Sequence, residues 1–153
     1  MTIKSFRGRI ADGAIDTVHL HTNNGSVGYR IKKLELMPAE LGDGAGEHVV
    51  KVYSIPQTTV DGKVDFSDQS LLAAGHIANS ATTYSNYSGF PVIIFDNMTF
   101  NQDIFITHED SQGSAKINYY IELEQIKLDL NENTVATLKD IRNIEAQSDV
   151  VIN

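Results

Sequence analysis

The sequence predicts a mainly β fold: an antiparallel, jelly-roll-like β-sandwich of about eight strands, with a short C-terminal α-helix. Three observations support this prediction. Short runs rich in β-branched and aromatic residues are separated by turn signals that contain Gly, Asn or Asp. No helical pattern lies between these runs, which favours a sandwich or barrel. The apolar period changes from two to about 3.6 only near the end of the chain, where one helix is expected.

Length and composition fit a single domain over residues 1–153. A chain of this size buries roughly 68–70% of the surface that its unfolded form exposes. The hydrophobic fraction of 41% is enough for one core. The sequence has no cysteine, so disulfides, thiolate metal sites and cysteine nucleophiles are excluded for this chain.

The net charge of −8 argues against a nucleic-acid partner, because twelve basic residues are scattered among twenty acidic ones. The densest basic stretches, Lys4–Arg9 and Arg30–Lys33, are interpreted as solvated strand faces. No segment approaches the roughly 18 apolar residues of a membrane span. We therefore expect neither nucleic acid nor a membrane among the partners.

The first part of the chain contains three predicted strands, at Ile3–Ile10, Ala14–His21 and Val27–Met37. Asn24 and Gly25 lie between the second and third strands and predict a tight hairpin turn. The apolar phase of the third strand changes near Lys32 and Lys33, which predicts a β-bulge or a crossing between sheets. Pro38 ends this strand, because proline cannot donate to a β-ladder.

The middle of the chain alternates between strands and polar links. Strands are predicted at His48–Ile55, at Pro91–Phe95, and in a small hairpin that joins Thr58–Val60 to Lys63–Phe66. For Leu71–Ile77 strand and short helix are nearly balanced. The run at Pro91–Phe95 has no polar residue, so we expect it to be buried on both faces.

The last third predicts a hairpin followed by a helix. The hairpin would join Asn101–His108 to Ala115–Leu130 through the polar turn Glu109–Ser114. Residues 131–147 then form an amphipathic helix that Asn133 or Thr134 can cap. Its apolar stripe consists of Val135, Leu138, Ile141 and Ile144. A helix this short needs a cover, which is either the domain's own sheet or another protein.

The histidines are candidate metal ligands. His19 and His21 would project from the same face of a strand at a separation suited to a shared metal ion. His48, His76 and His108 could supply further ligands, but nothing in the sequence brings them together. Polar strand positions explain these residues better, so no metal or other cofactor is predicted.

The carboxylates are candidates for calcium binding or for acid–base catalysis. Asp61, Asp65 and Asp68 could surround calcium, although their spacing is not that of an EF-hand and fits ordinary turn acids. Glu122 and Glu124 share a strand face beside Tyr120, which an exposed sheet face explains as well as acid–base catalysis does. No Gly-x-Ser-x-Gly nucleophile motif is present. The prediction is a protein that is not an enzyme.

A polar and aromatic loop over residues 79–90 is the clearest candidate for binding. Tyr84, Tyr87 and Phe90 lie among Ser, Thr and Asn, a composition typical of adaptable contact surfaces. Aromatic platforms with amide neighbours also suit sugar rings. The alternative is a solvated loop whose aromatic side chains fold back onto the sandwich.

The residues 117–128, INYYIELEQIKL, and 129–147, DLNENTVATLKDIRNIEAQ, resemble the C-terminal part of small β-rich virion proteins of tailed bacteriophages, especially marine ones. This resemblance implies a capsid decoration (cement) protein that stabilises the shell through contacts with the major capsid protein or other virion proteins. It also implies a homo-oligomer, with a trimer favoured, located in the virion after assembly in the host cytoplasm. It implies no catalytic residues.

Two other functions stay open at this point. One is a carbohydrate- or receptor-binding module on a tail or capsid spike, with Tyr84 and Tyr87 as its platform. The other is a calcium-dependent hydrolase, whose activity a chelator would abolish.

Overall fold

The computed structural model describes residues 2–20, 26–40, 46–79 and 91–128. Within these ranges the chain forms eight strands and no helix, which confirms the predicted mainly β class. The strands are β1 Thr2–Ile10, β2 Ile15–Val18, β3 Val27–Pro38, β4 Gly46–Tyr53, β5 Leu71–Asn79, β6 Val92–Phe95, β7 Ile104–Asp110 and β8 Ile117–Lys127. The helix predicted for 131–147 lies outside the described residues. No helix in the described part is long and apolar enough to cross a membrane.

The eight strands form two antiparallel sheets. One sheet has three strands in the order β1-β8-β3, and the other has five in the order β2-β7-β4-β5-β6. Both sheets contribute to one hydrophobic cluster, which joins side chains such as Ile31 and Ile121 of the first sheet to Val50 and Ile106 of the second. This arrangement is compatible with a β-sandwich.

Strict alternation along β8 shows how the sequence creates an inner and an outer face. The inner face consists of the buried side chains of Ile117, Tyr119, Ile121 and Leu123, while the outer face consists of Asn118, Tyr120, Glu122 and Glu124. Successive side chains of a strand point to opposite faces, so one face joins the core and the other meets solvent. As the central strand of its sheet, β8 sets the register of both neighbours.

The irregularity predicted in β3 is confirmed. The register against β8 shifts between Ile31 and Lys33, so Lys32 is the extra residue of a bulge. As a result Ile31 and Leu34 both enter the core, whereas Lys32 and Lys33 are both exposed. The two adjacent lysines therefore interrupt the apolar alternation, and the apolar residues on both sides of them still face the core.

Both long hairpins predicted from the sequence are wrong. β2 pairs with β7, whereas β3 pairs with β8 in the other sheet, so the link that contains Asn24 and Gly25 joins two sheets. β7 and β8 also lie in different sheets, and the segment between them is again a crossing rather than a hairpin turn. In both cases the strands next to each other in sequence pair with other strands.

Two further predictions in the middle of the chain are corrected. The residues from Thr58 to Phe66 form turns and extended segments without strand pairing, because local side-chain hydrogen bonds take the place of a ladder. β6 is not buried on both faces: Val92, Ile94 and Phe95 are exposed, since β6 is the edge strand of its sheet.

Polar and aromatic contacts tie the two sheets together. The hydroxyl of Tyr119, on the inner face of β8, donates to the Asp16 carboxylate of β2 in the other sheet. Burial, together with this hydrogen bond, strongly raises the pKa of Tyr119. Elsewhere Tyr29 of β3 forms two backbone hydrogen bonds with Phe100, and the two rings stack with centroids 6.4 Å apart.

Candidate functional site

The contact residues predicted from the sequence lie outside the described residues. These are Tyr84, Tyr87 and Phe90 of the polar loop, and Val135, Leu138, Ile141 and Ile144 of the expected helix. Their roles stay predictions. The candidate site is therefore built from the described residues.

The histidines that the structure describes do not converge on a metal site. His19 is exposed and lies 3.5 Å from the carboxylate of Asp103, while His21 lies outside the described residues. His76 is half-exposed on β5, 4.0 Å from Glu47. Among the described residues no group of three or more His, Asp or Glu side chains could hold a metal ion.

Two histidines do meet, in a way the sequence did not predict. His48 of β4 and His108 of β7 are completely buried, with rings stacked at a centroid distance of 5.1 Å. Nδ1 of His48 lies 2.9 Å from Nε2 of His108, and Nδ1 of His108 lies 3.1 Å from the carbonyl oxygen of Ala11. A carbonyl only accepts, so His108 donates from Nδ1, and in a neutral His108 ring Nε2 then accepts from Nδ1 of His48.

Two carboxylates, those of Asp110 and Asp12, lie near His48. Asp110 accepts from the backbone N–H groups of Glu47 and Gln112 at one oxygen and from Ala115 at the other. Burial alone would raise the pKa of Asp110, but these three hydrogen bonds outweigh it and lower the pKa. Burial lowers the pKa of His48, which favours the neutral form of its ring. The arrangement is structural, because the pair is enclosed on the inner face.

The three aspartates considered for calcium have separate local roles. Asp61 accepts from Lys51 at 3.0 Å, and the same ammonium group donates to the carbonyl of Lys63 at 2.6 Å. Burial disfavours charge on Lys51, but the bond to Asp61 and the nearby Tyr53 outweigh it and raise its pKa. Lys51 therefore fastens the segment 54–70 over the outer face of β4.

Asp65 and Asp68 shape a tight turn that displays an aromatic side chain. Asp65 accepts from the backbone N–H and the hydroxyl of Ser67, and its carbonyl accepts from the N–H of Asp68 at 3.1 Å. Asp68 makes the equivalent side-chain bonds to Ser70. Phe66 lies at the tip of the first turn and is 67% exposed, the highest value among the large hydrophobic residues described. We call this feature the Phe66 turn.

The carboxylates considered for catalysis lie on the open outer face of the three-stranded sheet. Glu124 is 3.5 Å from Nε of Arg30, an ion pair without a hydrogen bond at that nitrogen, and 3.6 Å from Lys32. Glu122 accepts from the hydroxyl of Tyr120 at 2.7 Å, which raises the pKa of Tyr120. Both carboxylates therefore have local partners on this open face.

The same outer face contains a hollow of about 600 Å³. Cross-strand partners place Arg7, Tyr120 and Glu35 in one row, and Arg9, Asn118 and Met37 in the next. Met37, which is 58% exposed, is among the residues that line it. We call this feature the Tyr120 hollow.

Charge on this face differs from that of the whole chain. Its outward side chains include five cations and three carboxylates: Arg7, Arg9, Arg30, Lys32 and Lys33 against Glu35, Glu122 and Glu124. The two basic stretches noted in the sequence are thus brought together by β8. No ion pair among the described residues involves Arg7 or Arg9.

Sequence reasoning missed both the Tyr120 hollow and the Phe66 turn. The sequence does predict the turn, since residues 65–70, Asp-Phe-Ser-Asp-Gln-Ser, repeat the Asp-x-Ser spacing of side-chain-capped turns. An aromatic residue at the tip of such a turn has no sheet face to pack on. The hollow had no signal, because it depends on the register of three strands distant in sequence.

Comparisons with known proteins add little. No protein-family model matches the sequence, and no curated protein matches it. One solved structure, described as a Bacillus endospore appendage of a novel family of disulfide-linked pili, is similar over 84% of this chain and 90% of its own. Its sequence identity is 10% and its TM-score is 0.34. Values this low establish neither a common fold nor a common function.

Proposed function

We propose that this chain is a non-enzymatic structural protein of a bacteriophage particle, a capsid decoration protein with a jelly-roll sandwich fold. In a jelly roll the eight strands alternate between two sheets in the orders 1-8-3-6 and 2-7-4-5. The observed orders differ only in that β6 extends the five-stranded sheet beyond β5. Double-sheet jelly rolls are common in viral capsid proteins, and the resemblance of residues 117–147 points the same way.

The proposal rests on exposed surface features of the kind found in protein interfaces. The Tyr120 hollow, the Phe66 turn and the exposed edge strand β6 offer Arg, Tyr, Met and Phe, the residue types enriched in protein interfaces. Among the described residues β6 pairs on one side only, and an apolar strand edge of this kind promotes association between chains. The major capsid protein is the proposed partner, with a homotrimer of the chain as the unit that binds.

Particles purified on a density gradient test this function. We expect the chain to remain with intact particles at a fixed ratio to the major shell protein, and to be removed before the shell itself as denaturant is added. A chain found only in the fractions without particles would refute the proposal.

The hollow also supports a second candidate, a glycan-binding module. Tyr120 beside Asn118, Arg7 and Glu35 combines an aromatic ring with donors and acceptors suited to sugar hydroxyls. Glycan-array binding that is lost in Tyr120→Ala, or in Tyr84→Ala and Tyr87→Ala, would favour this function. Saturable binding to shells without glycan binding would favour decoration.

A further inference from the structure

We propose that copies of this chain bind head to tail, with the Phe66 turn of one copy inserted in the Tyr120 hollow of the next. This inference deepens the proposed function by naming the contact between copies. It starts from position: the segment 54–70 covers the outer face of β4 in the five-stranded sheet, and the hollow lies on the outer face of the three-stranded sheet. Because these are opposite outer faces, one molecule cannot join them itself.

Shape and polarity match at the centre of the contact. Phe66 is a rigidly presented apolar knob, since its turn is held by hydrogen bonds from Ser67 and Asp68. The hollow is lined by an aromatic residue, Tyr120, and by the apolar side chain of the exposed Met37. Interfaces concentrate their energy in such anchors, where an aromatic side chain fills a desolvated pocket.

Charge matches around the centre. Asp65 flanks Phe66 directly, and the segment 54–70 contains three aspartates and one lysine. Around the hollow the cations outnumber the carboxylates five to three, and Arg7 and Arg9 are the cations without an ion pair among the described residues. Carboxylates beside the knob therefore meet unpaired guanidinium groups beside the hollow.

The net charge of −8 on each copy opposes association over long distances only. At physiological ionic strength charges are screened beyond about 8 Å, so close complementary pairs outweigh the remaining repulsion. A head-to-tail contact closes into a ring when its rotation allows and otherwise forms a filament.

Sedimentation equilibrium of the full chain in 0.15 M salt tests the contact. We expect Phe66→Ser and Arg7→Glu each to weaken self-association at least tenfold. Ile15→Ser, another exposed apolar residue, and Lys127→Glu, an exposed cation at the end of β8 far from the hollow, are the matched controls and should associate like the unchanged chain. Phe66 and Arg7 are exposed, so both variants should keep the unfolding midpoint of the unchanged chain.

Mixing the two variants gives the decisive result. Phe66→Ser retains the hollow and Arg7→Glu retains the knob, so an equimolar mixture should form heterodimers that cannot grow further. A monomeric mixture, variants that associate normally, or an unchanged chain that stays monomeric would each overturn the inference. The particle experiment above is independent, because a monomer can also decorate a shell.

Discussion

The buried histidine pair predicts a specific pH dependence of stability. The pKa of His48 is lowered from 6.5 in the folded protein. As pH falls through 6.5, His48 is therefore protonated in the unfolded chain but stays neutral in the folded chain. The free energy of unfolding should therefore fall as pH falls below 6.5, by about 1.4 kcal/mol per pH unit for one proton. The fall continues until the pKa of folded His48 is reached.

His48→Phe separates this effect from others. The ring volume is nearly kept, but Nε2 of His108 loses its donor, so we expect a loss of about 1–3 kcal/mol at pH 7. Below pH 6.5 the variant lacks the titrating group, so its stability curve should be flatter and approach that of the unchanged chain.

Urea unfolding between pH 5 and 7 measures both effects. His76→Asn serves as control, since His76 is half-exposed and lies outside the pair, and it should keep the original slope. The window stays above the range of Asp110, whose lowered pKa makes its contribution fade only as pH falls below 3.8. An equal slope in His48→Phe and the unchanged chain would refute the reasoning.

Three further predictions concern the packing. Tyr119→Phe removes the hydrogen bond from the Tyr119 hydroxyl to the Asp16 carboxylate. Because the acceptor is charged, we expect the free energy of unfolding in urea titrations to fall by about 1.5–3 kcal/mol. Gly75→Ala should cost about 1–3 kcal/mol, because the new Cβ would lie 2.8 Å from Cδ1 of Leu36 across the core. Lys51→Met should release the segment 54–70 and speed its amide hydrogen exchange at least tenfold, while the core strands keep theirs.

Matched controls make these outcomes interpretable. Gly62→Ala meets nothing closer than 4.0 Å and should leave stability within about 0.5 kcal/mol. Lys63→Met keeps the carbonyl that Lys51 binds, so exchange in 54–70 should be unchanged. An equal response of control and variant in either pair would show that the named contact is not responsible.

Local features of the fold were predictable from the sequence because they depend on neighbouring residues. Alternation in β8, the bulge at Lys32 and the stop at Pro38 all follow from side-chain period and backbone chemistry. Turn signals also marked where strands end. A turn signal does not identify the partner strand. Here β7 pairs with β2 and β4 and not with β8, the next strand in sequence.

The candidate site was less predictable for the same reason. Arg7 and Glu35 face one hollow only because β8 lies between their strands, and His48 meets His108 only because β4 pairs with β7. These contacts join residues far apart in sequence, so the spacing of residues along the chain does not predict them. The Phe66 turn is the exception, since its hydrogen bonds are all local.

Zero-length carbodiimide cross-linking tests the central claim most directly, because it joins a carboxylate to an amine only when the two are in contact. Isotope-labelled and unlabelled copies are mixed before the reaction, so that links between copies carry both labels. We predict mixed-label links from Asp65 or Asp68 to Lys32 or Lys33, which lie on opposite faces of one molecule. Links confined to single copies, with none between these residues, would contradict the account.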